Sequence, residues 1–153
     1  MKKVIKFIKN RIFMNKFFSC GSNLRVFGKV TVKDPNTITI GKDVKLNDGC
    51  KLLGRTGSTI TIGDRVTLSS NVTILSSGYD INEWIINKKK KHVLMNTYIG
   101  DDVWICANST IVGDVKITGK FVVIAAGSVV TENISESYCL YAGVPAKLIK
   151  KYR

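Results

Sequence analysis

The chain has 153 residues, 44% of them hydrophobic and 23% charged, which suits one folded domain and excludes a disordered polymer. Its formal net charge of +13 favours anionic partners such as nucleotides, phosphorylated carriers and lipid headgroups. No apolar run reaches the length of a membrane span. No helix-turn-helix, RRM or OB-like pattern accompanies the basic residues, so no nucleic-acid partner is expected.

Residues 1–20 form a basic amphipathic segment. Lys6, Lys9, Arg11 and Lys16 interrupt any apolar h-region, so it does not read as a secretory signal. Val4, Ile5, Ile8 and Ile12 share one stripe at helical spacing, which predicts a short basic helix. Such a helix packs on its own domain or a neighbouring subunit, or rests on an anionic membrane surface as a peripheral contact.

Residues 21–153 carry an internal repeat of six. Ile40, Leu46 and Leu52 form one row, Ile62, Leu68 and Ile74 a second, and Ile99, Ile105, Ile111, Ile117 and Val123 a third. After a slip of one residue, Ile124 and Val130 resume the row. A second apolar or small position follows four residues after each lead residue, at Val44, Cys50, Val66, Val72, Val103, Ser109, Val115 and Phe121. Gly41, Gly63 and Gly100 follow lead residues, with Asp43, Asp64 and Asp101 close behind. Neither a helix, with a period near 3.6, nor a strand, with a period of 2, gives this spacing. A short flat strand ending in a tight corner does, and three such units close one triangular coil of an all-β solenoid. Cys20, Cys50, Cys106 and Cys139 match no CxxC or zinc spacing, so no metal is expected, and reduced thiols imply a reducing, cytoplasmic compartment.

The repeat stops between Ile74 and Ile99, and residues 76–98 are expected as a loop excursion. A long departure from a regular scaffold is where binding and catalysis tend to sit. This one carries Tyr79, Asp80, Trp84 and, after four consecutive lysines, His92, the only histidine in the chain. Asn71 precedes the strand that feeds the excursion, where a polar residue orients an acceptor or turns a corner. A short helix is expected around Lys147 and Lys150 near the end of the chain.

The runs IGDDVWICANSTIVGDVKI, VVIAAGSVVTENI and YAGVPAKLIKKY, taken in order, resemble the hexapeptide-repeat acetyltransferase family, in its sugar and polysaccharide O-acetyltransferase branch. The resemblance covers about residues 30–150. It implies a left-handed parallel β-helix, a homotrimer with sites in the clefts between subunits, acetyl-CoA as co-substrate and a sugar or saccharide acceptor. Cell-surface polysaccharide or O-antigen assembly, beside the inner face of a membrane, is the implied setting. The family's catalytic base stands just before the loop in segments like TSGHD, and here Tyr79 occupies that place. His92 is then the candidate base, because imidazole takes up a proton near neutral pH. Asp80 is the candidate that orients it, as a carboxylate does in a triad. The resemblance also assigns cofactor contacts to Trp104, Ala107, Ala126, Thr131, Lys147 and Lys150, and Trp84 and Asn71 are candidate acceptor contacts. Cys106 stands where the family has glycine after its WI pair. The alternative expectation is a non-catalytic or altered trimeric scaffold that keeps a CoA cleft.

Overall fold

In the computed structural model the described residues are 17–153. The expected N-terminal helix, with its membrane or subunit contact, lies outside them, although residues 17–20 already belong to the solenoid. The strands fall in strict rotation onto three sheets, so each turn of the chain visits every sheet once. One sheet holds β1 (Ser19–Cys20), β4 (Ile38–Ile40), β7 (Thr59–Ile62), β12 (Asn96–Ile99) and β15 (Lys116–Ile117). The second holds β2 (Arg25–Val26), β5 (Lys45–Leu46), β8 (Thr67–Leu68), β13 (Trp104–Ile105), β16 (Val122–Ile124) and β18 (Cys139–Ala142). The third holds β3 (Thr31–Lys33), β6 (Lys51–Leu53), β9 (Thr73–Leu75), β14 (Thr110–Ile111) and β17 (Val129–Val130). All pairings within these three sets are parallel.

The register lays the repeat out as columns. Ile40, Ile62, Ile99 and Ile117 stack on the first sheet, Leu46, Leu68, Ile105 and Ile124 on the second, and Leu52, Ile74, Ile111 and Val130 on the third. Every one of these is buried. The corner column Val44, Val66, Val103, Val122 and Cys139 closes the interior between the first two sheets. Among the described residues no buried side-chain nitrogen or oxygen lacks a partner; the buried Ser109 hydroxyl, for example, donates to the Ala125 carbonyl at 2.9 Å.

Two details differ from the simple six-residue count. Val123 does not enter the core: it stands outward beside Trp104, while Val122 and Ile124 point in. Phe121 is likewise exposed, at a corner with φ of 55°, and Val122 takes the interior place expected for it. The extra residue of the slip therefore lies in the corner between Ile117 and Val122, where a loop absorbs it without breaking a strand. The second correction concerns the end of the chain. Lys147–Lys151 is not a helix but β19, antiparallel to β18. The edge of β18 would otherwise expose unpaired backbone groups. After the turn at Gly143, with φ of 104°, the chain folds back and pairs with that edge.

The Gly and Asp of each repeat have separate structural roles. Gly41, Gly63 and Gly100 stack where successive coils approach most closely, and a Cβ on Gly63 would lie 2.8 Å from the Gly100 carbonyl carbon. The Asp64 carboxylate accepts the Lys42 N–H at 2.7 Å, and Asp101 accepts the Asp64 N–H at 2.9 Å, so each acid joins two coils. One position further on, Asn23, Asp43, Arg65 and Asp102 turn the corner with positive φ. Arg65 there makes a two-pronged contact with Asp102, at 2.6 and 2.9 Å. Those hydrogen bonds hold the Asp102 carboxyl below its ordinary range, ahead of the simple charge attraction.

Gly63→Ala should push two coils apart and lower stability by about 1–3 kcal/mol, read from chemical denaturation. The Asp102 shift also has a pH signature. A carboxyl with a depressed folded-state pKa contributes stability above its unfolded value, about 3.9, and loses it as pH falls through the folded value. Asp102→Asn should therefore narrow the gap to the parent protein in melting temperature as pH falls through that acid range, with the largest gap near neutrality.

Candidate active site

The excursion leaves the solenoid through a fixed neck. The Ser76 and Ser58 hydroxyls, both buried, meet at 2.8 Å, and the Met95 N–H donates to the Ser76 carbonyl at 3.0 Å. Beyond the neck the chain forms an antiparallel ribbon of β10 (Ser77–Tyr79) and β11 (His92–Leu94), capped by the helix α1 (Ile81–Asn87). Asp80 starts this helix: its carboxylate accepts the Glu83 N–H at 3.0 Å, the usual service of an N-cap acid. Lys88 ends it in the left-handed conformation, with φ of 54°. Ile81, Trp84, Ile85 and Ile86 are exposed, and the Lys90 ammonium lies 5.1 Å from the centre of the Trp84 ring.

Tyr79 and His92 are directly opposed on the ribbon. Their ring centres are 4.3 Å apart with the planes tilted by 31°. Asp80 is next in sequence, but its carboxylate is engaged with α1 rather than with the imidazole. Thus the structure joins two of the three candidate catalytic residues side chain to side chain and leaves the third on the adjoining cap.

Two of the candidate cofactor residues, Ala107 and Ala126, lie elsewhere, along the corner between the second and third sheets. Ala107 and Ala126 stand at equivalent places in successive coils, and the Gly127 N–H donates to the Ala107 carbonyl at 2.9 Å. The register extends this column of small residues to Ser70 below and Gly143 above. A Cβ on Gly127 would meet nothing within 4 Å, so this column of small residues, termed the trough, lies open at that point. Trp104 flanks it, half exposed, with its indole N–H donating to the Ser69 hydroxyl at 2.9 Å. Asn71 turns the same corner with φ of 61° and donates to Asn108 Oδ1 at 3.2 Å. Cys106 lies between Trp104 and Ala107, and burial pushes its thiol up, away from a reactive thiolate.

Thr131 is exposed just beyond β17. Its neighbour Glu132 holds Lys147 through both carboxylate oxygens, at 2.8 and 2.9 Å. Lys150 lies 4.9 Å from the Tyr152 ring. Among the described residues no hydrogen bond, ion pair or ring contact joins the Tyr79–His92 pair to the small-residue trough. Sequence reasoning missed Ser69 and Gly143 as parts of the trough. Counting coils would have found both, because each falls in the columns of Cys106 and Ala126. Among the described residues no group of three His, Cys, Asp or Glu side chains could hold a metal ion, and no helix is long and apolar enough to cross a membrane.

No family model matches the sequence. Among curated proteins it is 36% identical over 112 residues to a serine acetyltransferase of Staphylococcus epidermidis, covering 73% of this chain and 46% of that one. The chain thus spans about half the length of that relative. It is 29% identical over 143 residues to the galactoside O-acetyltransferase of Escherichia coli, covering 94% of this chain and 68% of that one. Among solved structures, a maltose O-acetyltransferase from Clostridium difficile superposes with a TM-score of 0.83 at 30% identity, covering 94% of this chain and 74% of that one. A galactoside acetyltransferase in complex with coenzyme A gives the same TM-score at 28% identity, covering 94% of this chain and 70% of that one. With the six-residue columns, the ejected ribbon and this likeness along almost its whole length, the chain belongs to the hexapeptide-repeat acetyltransferase family.

Proposed function

We propose that this protein is an acetyl-CoA-dependent O-acetyltransferase acting on a sugar hydroxyl in cell-surface polysaccharide or O-antigen assembly, and that it works as a homotrimer in the cytoplasm. The observation that carries the reading is the placement of the chain's only histidine on an ejected ribbon, in tilted ring contact with Tyr79, in a solenoid that also presents a column of small residues. The two features do not meet within one chain. That separation supports an assembly in which one subunit's ribbon reaches another subunit's trough, the arrangement proposed for the trimer. The net charge of +13 fits an anionic co-substrate and a setting beside an anionic membrane.

The trough fits the slender part of the co-substrate. Ala107, Ala126 and Gly127 leave room for close approach to the backbone, and the exposed face of Trp104 offers a flat apolar wall. Lys150, and Lys147 once released from Glu132, supply positive charge for the nucleotide phosphates, with Thr131 beside them. In the reaction His92 takes the proton of the acceptor hydroxyl as its oxygen bonds to the thioester carbonyl carbon. The carbon–sulfur bond then breaks, and the imidazolium returns the proton to the departing thiolate. Trp84 and Asn71 are the proposed acceptor contacts.

The test is release of free CoA thiol from acetyl-CoA over a panel of saccharides. His92→Ala should lower kcat by about a hundredfold or more, the usual weight of a general base. Near-normal turnover of that variant would remove His92 as the base. Binding of CoA without transfer to any saccharide would favour a non-catalytic scaffold instead. Ala126→Phe should fill the trough and raise KM for acetyl-CoA about tenfold, with a smaller effect on kcat, as expected for a group that meets ground state and transition state alike.

A further inference from the structure

The carboxylate that would ordinarily steady a catalytic imidazole is committed elsewhere. Asp80 caps α1 through the Glu83 N–H, and its own backbone N–H donates to the Lys91 carbonyl at 2.8 Å. The second bond fixes the local ladder. Asp80 and Lys91 form a hydrogen-bonded pair, so Tyr79 and His92, one step along, form the closer non-hydrogen-bonded pair. Side chains opposed in such a pair lie on one face of the ribbon and interact strongly. On that face the next residues are Ser77 and Leu94. Leu94 leans on the solenoid, since a Cβ on Gly57 would meet its Cδ1 at 2.8 Å. The root of the ribbon is thus anchored, while His92 and Tyr79 are both exposed at its outer end.

We infer that Tyr79 is the positioning residue for His92, holding the imidazole by its ring face and taking the role that a carboxylate plays in a triad. The inference rests on His92 being the base in the reading above. An exposed histidine on a two-stranded ribbon, without a hydrogen-bond partner, would sample several rotamers. A ring 4.3 Å away at a 31° tilt restricts it to those that keep the contact. Proton transfer from the acceptor also converts imidazole to imidazolium. An aromatic face attracts that cation. The useful part of Tyr79 is therefore its ring, and the phenol hydroxyl is dispensable.

The single histidine gives a direct readout, because its Cε1 proton is one NMR resonance that the Tyr79 ring, 4.3 Å away, should displace upfield. Tyr79→Leu should return that resonance to its ordinary position and lower kcat about three- to tenfold, the scale of one aromatic pair, with KM for acetyl-CoA little changed. Tyr79→Phe should restore both the upfield shift and most of the lost kcat. Loss of kcat in Tyr79→Phe as large as in His92→Ala would overturn the inference, because the hydroxyl would then be doing the chemistry. A resonance that does not move in Tyr79→Leu would overturn it equally. If the parent protein transfers no acetyl group, the catalytic reading falls on its own, and the NMR comparison alone decides whether Tyr79 holds the ring.

Discussion

Each coil of this protein is closed by hydrogen bonds from the coils above and below, because a single short strand has no neighbour within its own turn. The Gly41–Gly63–Gly100 column lets successive backbones approach, and Asp64 and Asp101 carry a carboxylate across each gap to an amide of the adjoining coil. The buried isoleucine and leucine columns depend on this spacing. Strands held about 4.8 Å apart stack their side chains into continuous contact, and the burial of those columns supplies the driving force. A core of this kind is assembled coil by coil, so a change at one rung is felt chiefly by its neighbours.

Such a scaffold tolerates a large insertion only where the two strands on either side keep their places in the stack. The excursion meets that requirement at its neck. Ser76 is held by Ser58 and by the Met95 amide, and β12 resumes pairing with β7 from Asn96 onward. Nineteen residues, 77–95, can then leave the column without disturbing it. The short ribbon thus stands on a base that the stack holds in place. On α1, Ile81, Trp84, Ile85 and Ile86 remain exposed.

The division between ribbon and trough also accounts for the distribution of charge and reactivity. The trough is a column of Ser70, Ala107, Ala126 and Gly143, while Lys147 and Lys150 lie on β19, the second of them against Tyr152. Cys106 sits inside it as a protonated thiol, its deprotonation opposed by burial. On the ribbon, the helix cap at Asp80 and the stacked pair at Tyr79 and His92 partition the polar groups between building the loop and presenting the imidazole.

The coils were legible in the sequence because a six-residue apolar period has one structural solution, and Ile62, Leu68 and Ile74 announce three faces in a single turn. The excursion itself was legible for the same reason, as the place where the period fails, although the chain rejoins the stack at Asn96 and not after residue 98 as the spacing predicts. Periodicity could not locate the inserted corner residue before Val122, since Val122, Val123 and Ile124 are all apolar and only packing selects which two point inward. Nor could it show that Lys147–Lys151 is a strand, because the open edge of β18 that recruits it exists only once the solenoid is built. Tyr79 and His92 are thirteen residues apart in the chain, and their contact is set by a ribbon register that the turn at α1 fixes. Local sequence therefore determined the scaffold, whose contacts repeat at a constant interval. Tertiary structure decided the chemistry-bearing contacts, because each arises once, between residues whose separation follows no repeat.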